Sequence, residues 1–318
     1  MISATSESKN VDSHSNTKQS NIVAVSGSTG LVGSAVCGAF EGSGDRVLRL
    51  VRSEQEASIN EIRWNPDQGM VNTGRMEGID AIVHLAGENI ADGRWTETKK
   101  QRIHSSRVDG TRKLCEQITK LIQPPQVLLT ASAIGFYGDR GDIELTEHDD
   151  AGTGFLADVC REWEAATEPA AERGVRVVNL RIGVIISRDG GALPQMLTPF
   201  RLGVGGKIGS GRQYWSWVHL HDAVGAIRHC IDHPELSGPV NCVAPTPVTN
   251  SEFTTTLGSV LSRPTLFPMP GFAARLALGQ MANDLLLSST RVVPRKLLDS
   301  GYQFVHSNLE PALKAEVA

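Results

Sequence analysis

The fold of this chain is decided by the stretch Ile22-Val23-Ala24-Val25-Ser26-Gly27-Ser28-Thr29-Gly30-Leu31-Val32-Gly33-Ser34-Ala35-Val36. An apolar run, which predicts a buried strand, leads into a Gly-x-x-Gly-x-x-Gly turn, and an apolar helical pattern follows. This order places the free N–H groups and the positive end of a helix dipole at the edge of a sheet. The stretch therefore predicts a dinucleotide pyrophosphate site formed by Gly27, Ser28, Thr29, Gly30, Leu31, Val32 and Gly33.

The three glycines of the turn have different predicted roles. Gly27 permits the tight turn, and Gly30 lets the phosphates approach the backbone closely. Gly33 lets the helix pack tightly against the strand. A strand before the glycines and a helix after them make the pattern far more specific than glycines alone in a chain that has 32 of them.

Composition narrows the class of protein. The 318 residues suffice for one large domain or two small ones, and the 40% apolar content suffices for a sizeable core. A net charge of −4 argues against a nucleic-acid surface, and no apolar run reaches the roughly 20 residues that span a bilayer. The five cysteines are scattered with no C-x-x-C pair, which predicts reduced thiols and a cytoplasmic location.

Residues 1–20 differ in kind from the rest. They are polar, rich in Ser, Thr and Asn, and nearly free of large apolar side chains, which predicts a disordered tail. The alternative is the remnant of an organelle-targeting segment, which would place the protein in a stroma or matrix. The absence of arginine and the presence of Glu7 and Asp12 argue against that alternative.

Short apolar runs alternate with helical segments after residue 21. This rhythm predicts an α/β fold, a Rossmann-type doubly wound parallel sheet with a small C-terminal substrate lobe. We expect strands at 22–25, 45–51, 61–64, 79–85, 126–131, 175–186 and 240–243, and helices at 96–122 and 154–173. A further helix is expected from 223 to 231, capped by Asp222. The predicted Rossmann core comprises residues 21–186 and 213–243, and the lobe comprises residues 187–212 and 244–318.

The end of the second strand indicates which nucleotide is bound. A carboxylate there would accept bonds from the free ribose hydroxyls of NAD, whereas an arginine would neutralise the 2′-phosphate of NADP. This strand ends in Arg52-Ser53 with no acidic residue at its tip. The planar fork of Arg52 suits a phosphate, so NADP is the predicted cofactor, although a solvated loop arginine is the simpler alternative.

Several motifs together resemble the extended short-chain dehydrogenase/reductases. Besides the glycine turn they are His84-Leu85-Ala86-Gly87, Thr130-Ala131-Ser132-Ala133 before Tyr137-Gly138, Leu180-Arg181-Ile182-Gly183 and Trp217-Val218-His219-Leu220-His221-Asp222. A narrower set, Ala86-Gly87-Glu88-Asn89-Ile90, Trp163-Glu164 and Gly209-Ser210-Gly211-Arg212-Gln213, resembles the atypical branch labelled epimerase family proteins. The resemblance covers residues 21–318. It implies an NADP-binding core, with Leu85, Ala86 and Gly87 beside the cofactor.

The family's catalytic pair is missing. A tyrosine and a lysine four residues apart share one helix face, where the lysine lowers the tyrosine pKa and the tyrosine exchanges a proton with the substrate. The matching helix, residues 154–164, contains neither residue, and the two positions fall on Leu156 and Cys160. Epimerisation through a keto intermediate would need the same base, so that activity does not follow from the resemblance.

The remaining candidates for chemistry are few. Ser132 follows the fifth strand, where a hydroxyl either polarises a substrate oxygen or merely caps a turn. Tyr137 is either a substitute acid, with a pKa near the reference value of about 10, or only a wall of the pocket. The resemblance implies that Arg107 faces the cofactor and binds phosphate or substrate, and the alternative is a surface salt bridge. Arg181 lies in a buried strand and needs a partner, either a carboxylate or a substrate phosphate.

The sequence predicts no metal site. His219 and His221 would share a face of a strand, but with Asp222 capping a helix they make a poor zinc site. Two functions remain open: an NADP-dependent oxidoreductase acting on a small polar or nucleotide-linked substrate, and a non-catalytic NADP(H)-binding regulatory protein. We expect a monomer or homodimer with a small-molecule substrate and with no nucleic-acid or membrane partner.

Overall fold

The computed structural model describes residues 20–52, 58–66, 70–71 and 73–317. Its strands are β1 (Ile22–Ser26), β2 (Arg46–Val51), β3 (Glu61–Asn65), β4 (Met70–Val71), β5 (Ala81–His84), β6 (Val127–Ala133), β7 (Glu144–Leu145), β8 (Arg176–Ile182), β9 (Val184–Ile186), β10 (Tyr214–Trp215), β11 (Trp217–His219), β12 (Gly238–Cys242), β13 (Val248–Thr249) and β14 (Arg291–Val292). The tail predicted at 1–20 lies outside the described residues except for Ser20.

The helices alternate with the strands of the main sheet and then dominate the C-terminal part. They are α1 (Leu31–Gly42), α2 (Glu97–Ile118), α3 (Phe155–Ala165), α4 (Glu168–Glu172), α5 (Leu193–Arg201), α6 (Leu220–Asp232), α7 (Asn250–Val260), α8 (Gly271–Leu278), α9 (Arg295–Asp299) and α10 (Leu309–Val317). A π-helix covers Ala282–Leu287, and 3₁₀ turns cover Thr73–Arg75 and Ile134–Tyr137.

Eight strands form the main sheet in the order β12-β8-β6-β5-β1-β2-β3-β4. Neighbouring strands are parallel except for the antiparallel β3–β4 pair at one edge. The predicted Rossmann-type parallel sheet is therefore confirmed. Strands β1 and β5 read as continuous apolar runs because helices cover both faces of the sheet.

Two apolar clusters form the layers on either side of the sheet. On one face α1 and α6 contribute Val36, Phe40, Ala226 and Ile227. On the other face α2 and α4 contribute Leu114, Ile118 and Ala170. The chain leaves β1 toward β2 and returns to β5 on the opposite side of β1, so a crevice opens at the carboxyl ends of β1 and β5. This crevice is where α/β sheets bind their ligands.

Two predicted elements are divided in the structure. The run at 175–186 breaks at Gly183, whose N–H bonds to the carbonyl of Cys242, and β9 then pairs with β11 in a separate small sheet. A side chain at residue 183 would lie 2.6 Å from the carbonyl oxygen of Ser216, so glycine is needed for this crossing. The helix expected at 154–173 stops at Ala165 because Pro169 is accepted only in the first turn of a new helix, α4.

A smaller apolar cluster lies beyond the main sheet. It joins α5, α7 and α10 through Leu193, Phe200, Phe253, Leu257 and Leu313. These residues come from both segments of the predicted lobe, whose boundaries remain a prediction. All five cysteines are buried and unpaired with one another. In the part of the chain that the structure describes, no helix is long and apolar enough to cross a membrane.

Candidate functional site

The glycine turn lies at the carboxyl end of β1 with the geometry of a phosphate cradle. Gly27 has φ +66°, a conformation that favours glycine, and a Cβ there would lie 2.9 Å from the backbone nitrogen of Ala86. A Cβ at Gly33 would overlap the carbonyl oxygen of Gly27. The first turn of α1 is therefore held directly against the end of β1, with no room for side chains between them.

The N-terminus of α1 is open to an anion. Gly30 occupies the N-cap position, and among the described residues no side chain caps the helix. The first N–H groups of a helix have no partner within it, and together with the helix dipole they bind phosphate. Thr29 and Gly30 are exposed, so solvent reaches these groups. The residues present fit the pyrophosphate of a dinucleotide, which the amides of Leu31 and Val32 at the start of the helix would receive, whereas the Gly30 amide is bonded to the carbonyl of Gly27 at 2.9 Å.

Buried hydrogen bonds hold the end of β5 against the end of β1. The Ser26 hydroxyl accepts the N–H groups of Leu85 (3.1 Å) and Ala86 (3.2 Å) and donates to Nδ1 of His84 at 2.6 Å. Burial lowers the pKa of His84 to about 4, so the ring stays neutral and Nδ1 acts as the acceptor. The candidates Leu85 and Ala86 are thereby brought beside Gly27, and Gly87 follows them on the exposed side.

A loop that the sequence did not reveal covers the start of α1. Side chains at Gly190 and Gly191 would lie 3.3 and 3.6 Å from the Leu31 side chain, so this loop packs on the first helical residue after the turn. The same loop carries the exposed residue Arg188, whose N–H donates to Glu316 of α10 at 2.5 Å. The local signal for it was the pair of consecutive glycines that begins four residues after the end of β9.

Arg52 lies exposed at the end of β2, next to β1 in the sheet. This is the position predicted for the residue that meets the adenosine ribose, and the exposed guanidinium is available to a 2′-phosphate. Ser53, the second residue predicted there, lies outside the described residues.

We expect Arg52→Ala to weaken NADPH binding about 10- to 100-fold, because a hydrogen bond to a charged group contributes about 1.5–3 kcal/mol. NADH binding should not change, since NADH has no 2′-phosphate. Isothermal titration with both nucleotides measures this. Arg46→Ala, an exposed arginine at the opposite end of β2, is the matched control. Equal losses for both nucleotides would contradict the assignment.

Arg107 holds the loop after β5 in place through hydrogen bonds. Its guanidinium donates to the carbonyls of Glu88 (3.0 Å) and Ile103 (3.3 Å) and lies 5.0 Å from the Trp163 ring. A Cβ at Gly87 would be 3.3 Å from its guanidinium carbon, and burial lowers the pKa of Arg107. Arg107 is thus half-buried beside Gly87, and it forms no surface salt bridge with any residue that the structure describes.

A buried polar cluster lies where β6 and β8 end. The Ser132 hydroxyl donates to Oε1 of Glu164 at 2.7 Å. Arg181 holds the same carboxylate with two bonds of 2.8 Å, from Nε to Oε1 and from Nη2 to Oε2. The partner that the buried Arg181 requires is therefore a protein carboxylate. The sequence did not indicate that Glu164 supplies it. We call these three residues the Ser132–Glu164–Arg181 cluster.

Tyr137 is placed deep behind this cluster. Its side chain is fully buried, and its hydroxyl bonds to the carbonyl of Thr146 (2.9 Å) and to Asn241 (2.7 Å) and accepts from Arg181 (2.9 Å). Burial raises the pKa of Tyr137 to about 12. This geometry argues against a substitute acid and favours the alternative in which Tyr137 only walls the site.

Helix α3 presents an inert face to Ser132. Cys160 lies against Ser132 and Ala133, and burial raises the pKa of its thiol to about 12. One turn earlier, Leu156 packs 3.2 Å from the position that a Cβ of Gly135 would occupy. Leu156 and Cys160 thus occupy the helix face on which the family's tyrosine and lysine were expected, and neither can exchange a proton at neutral pH.

The histidine motif differs from its prediction. Asp222 does not cap α6. It lies in the first turn, where its carboxylate accepts the N–H groups of Val305 and His306 at 2.8 Å, and His219 is the N-cap. His219, Asp222 and His306 lie close enough to be considered a metal site, but the two imidazole rings stack 3.7 Å apart and nearly parallel. The group fastens the C-terminal segment to α6, whereas His221 is exposed.

Comparisons with known proteins agree with this geometry. Residues 23–242 match the model of the NAD dependent epimerase/dehydratase family, and residues 269–316 match a domain of unknown function, DUF1731. Epimerase family protein Mb2239 of Mycobacterium bovis is 43% identical over 292 residues, 92% of this chain and 96% of that protein.

Solved structures extend the likeness to three dimensions. The human epimerase family protein SDR39U1, crystallised with NADPH, is 34% identical with a TM-score of 0.85, covering 93% of this chain and 98% of that one. The UDP-N-acetylglucosamine 4-epimerase of Bacillus cereus shares the fold at 17% identity, with a TM-score of 0.73, 93% of this chain and 98% of that one being covered. The chain belongs to the NAD dependent epimerase/dehydratase family, within the short-chain dehydrogenase/reductases that its motifs resemble.

Proposed function

We propose that this protein is an NADP(H)-dependent oxidoreductase that interconverts an alcohol and a carbonyl compound. The observation that carries the proposal is the Ser132–Glu164–Arg181 cluster, which places a hydroxyl bonded to a carboxylate at the carboxyl edge of the sheet, near the glycine turn. NADP rather than NAD is supported by the exposed Arg52 and by the NADPH bound to the human relative. A cytoplasmic monomer or homodimer remains part of the proposal.

The cluster supplies a route for the proton. When bound, NADP⁺ provides the acceptor for a hydride from the substrate carbon, and NADPH provides the donor in the reverse direction. In the oxidation, the substrate hydroxyl gives its proton to Oγ of Ser132 while Ser132 passes its own proton to Oε1 of Glu164. The C–O bond becomes a carbonyl as the C–H bond breaks. Arg181 holds the Glu164 carboxylate in the orientation in which Oε1 receives that proton.

This route differs from the family's usual one. The tyrosine and lysine are replaced by Leu156 and Cys160, so the carboxylate of Glu164, one further turn along α3, acts as the base through Ser132. The inert face of α3 also supports the second candidate, a protein that binds NADP(H) without turnover. In that case the cluster would serve stability alone.

Ser132→Ala and Glu164→Gln separate these two functions. Each should lower kcat about 100-fold or more, the ordinary contribution of general acid–base catalysis. Glu164→Gln keeps the shape, and its amide oxygen can still accept from Ser132 and from Nε of Arg181, but its NH2 group cannot accept from Nη2 of Arg181 and the side chain cannot accept a proton. Steady-state NADPH absorbance with a panel of alcohols and carbonyls measures turnover, and the NADPH-induced rise in melting temperature should be unchanged.

Tyr137→Phe is the matched control, since it removes a hydroxyl that we place outside the chemistry. It should lower stability because Asn241 and Arg181 lose a buried partner, but it should leave kcat unchanged. A wild-type protein that binds NADPH and turns over no compound in the panel would favour the regulatory alternative.

A further inference from the structure

An apolar cluster lies at the start of α3, the helix that carries Cys160 and Glu164. Five half-buried side chains from three parts of the chain pack around the buried residues Trp95, Ile103 and Met281; they are Ile90, Phe155, Leu156, Leu278 and Leu285. We call these five residues the apolar wall. Ile90 follows the cofactor loop after β5, Phe155 and Leu156 begin α3, and the other two come from the C-terminal region. The wall is therefore built jointly by the nucleotide-binding part and the C-terminal part.

The position of the wall relates it to the chemistry. Leu156 is one helical turn from Cys160, and Cys160 lies against Ser132. Leu156 also packs on Gly135, immediately beyond the strand that carries Ser132. A substrate whose oxygen reaches Ser132 can therefore extend its carbon skeleton along Leu156 and its apolar neighbours.

The C-terminal part of the wall depends on the π-helix Ala282–Leu287. Leu285 joins the apolar wall, whereas the next residue, Leu286, packs into the separate cluster with Trp215 and Phe253. The two adjacent leucines therefore connect the wall to the lobe core, and π-helical turns are frequent at functional sites.

The two lysines near the wall are paired with carboxylates. Lys99 pairs with Glu88 at 2.8 Å, and Lys100, whose Nζ lies 5.7 Å from the Phe155 ring centre, pairs with Glu97 at 3.1 Å. Burying the charge of a nucleoside diphosphate against the apolar side chains of the wall would be costly. The wall therefore fits a substrate that is apolar around its reacting carbon.

We propose that the substrate is an apolar alcohol or carbonyl compound, with an aliphatic or aromatic skeleton held by the apolar wall and its oxygen at Ser132. This inference rests on the proposed oxidoreductase function and replaces the small polar or nucleotide-linked substrate expected from the sequence. The wall contributes affinity through the hydrophobic effect, so specificity should follow chain length and not charge.

A homologous series of primary alcohols tests the proposal with NADP⁺ as co-substrate. From 1-propanol to 1-octanol, kcat/KM should rise about fourfold for each added methylene, the factor expected for burying one such group. Leu278→Asn and Leu285→Ala should lower kcat/KM for 1-octanol at least tenfold and that for 1-propanol by a smaller factor. Leu276→Asn, an exposed leucine on the same helix as Leu278, should change neither value. A flat series overturns the proposal, as does turnover of UDP-glucose with 1-octanol inert.

A binding measurement separates this proposal from the proposed function. Octanamide, which cannot be oxidised, should raise the melting temperature of the wild-type protein with NADP⁺, whereas acetamide at equal concentration should not. The octanamide effect should be lost in Leu278→Asn and kept in Leu276→Asn. If no alcohol is oxidised but this pattern holds, the oxidoreductase function fails and the apolar site stands. If octanamide does not bind, the apolar site is wrong.

Discussion

Arg181→Met should destabilise the protein by about 3–5 kcal/mol, the usual cost of removing one partner from a buried ion pair. The side chains of Arg181 and Glu164 are 4% and 12% exposed, so the carboxylate left behind would have little access to water. The variant would also remove a donor from the buried hydroxyl of Tyr137 and vacate the space 3.4 Å above the Phe136 ring. Denaturant unfolding measures the free energy of unfolding.

The double variant Arg181→Met with Glu164→Gln gives the coupling between the two residues. Removing the unpaired charge should recover part of the lost stability, so the two single effects should not add. Arg161→Met is the matched control on α3, because Arg161 pairs with Asp158 on the surface and exposed pairs contribute about 0–1 kcal/mol. If Arg181→Met cost no more than Arg161→Met, the buried cluster would not be an ion pair that stabilises the fold.

The fold was predictable because its signals are local. A buried parallel strand, a glycine turn and an amphipathic helix each leave their pattern within about a dozen residues, and their alternation specifies the sheet. The break at Gly183 left only a single glycine inside an apolar run, so the two strands β8 and β9 read as one. The end of α3 was signalled by Pro169, yet the helical pattern on both sides concealed it.

The site was predictable only where one segment contains it. The glycine turn and Arg52 follow from single strands, but the bond between Ser132 and Glu164 joins residues 32 positions apart, and it depends on how α3 packs on β6. Tyr137 was a reasonable candidate by spacing, and only the structure shows its hydroxyl turned toward Asn241, 104 positions away. Contacts of this kind depend on how helices and strands pack against one another. The hydrophobic periodicity of the sequence predicts the helices and strands but not their packing.

Gly33→Ala should abolish NADPH binding. The added methyl group would overlap the carbonyl oxygen of Gly27, and backbone on both sides cannot yield as a flexible side chain would. The first turn of α1 would have to move away from β1, which would displace the amides that receive the pyrophosphate. We expect the NADPH-induced rise in melting temperature to disappear at a concentration that stabilises the wild-type protein by about 2.7 kcal/mol, which is 100 times its dissociation constant.

Gly38→Ala distinguishes a local clash from a general effect of alanine in α1. A Cβ at Gly38 has no neighbour within 4 Å, so this substitution should stabilise the helix by about 0.5–1 kcal/mol and leave NADPH binding intact. Gly30→Ala should lie between the two, because its Cβ would be 3.3 Å from the oxygen of Gly27, a tight contact that a small backbone shift can relieve. The geometry of the glycine turn thus predicts that the loss of NADPH affinity is largest for Gly33→Ala, smaller for Gly30→Ala and absent for Gly38→Ala. A protein in which Gly33→Ala bound NADPH normally would place the nucleotide somewhere other than this turn.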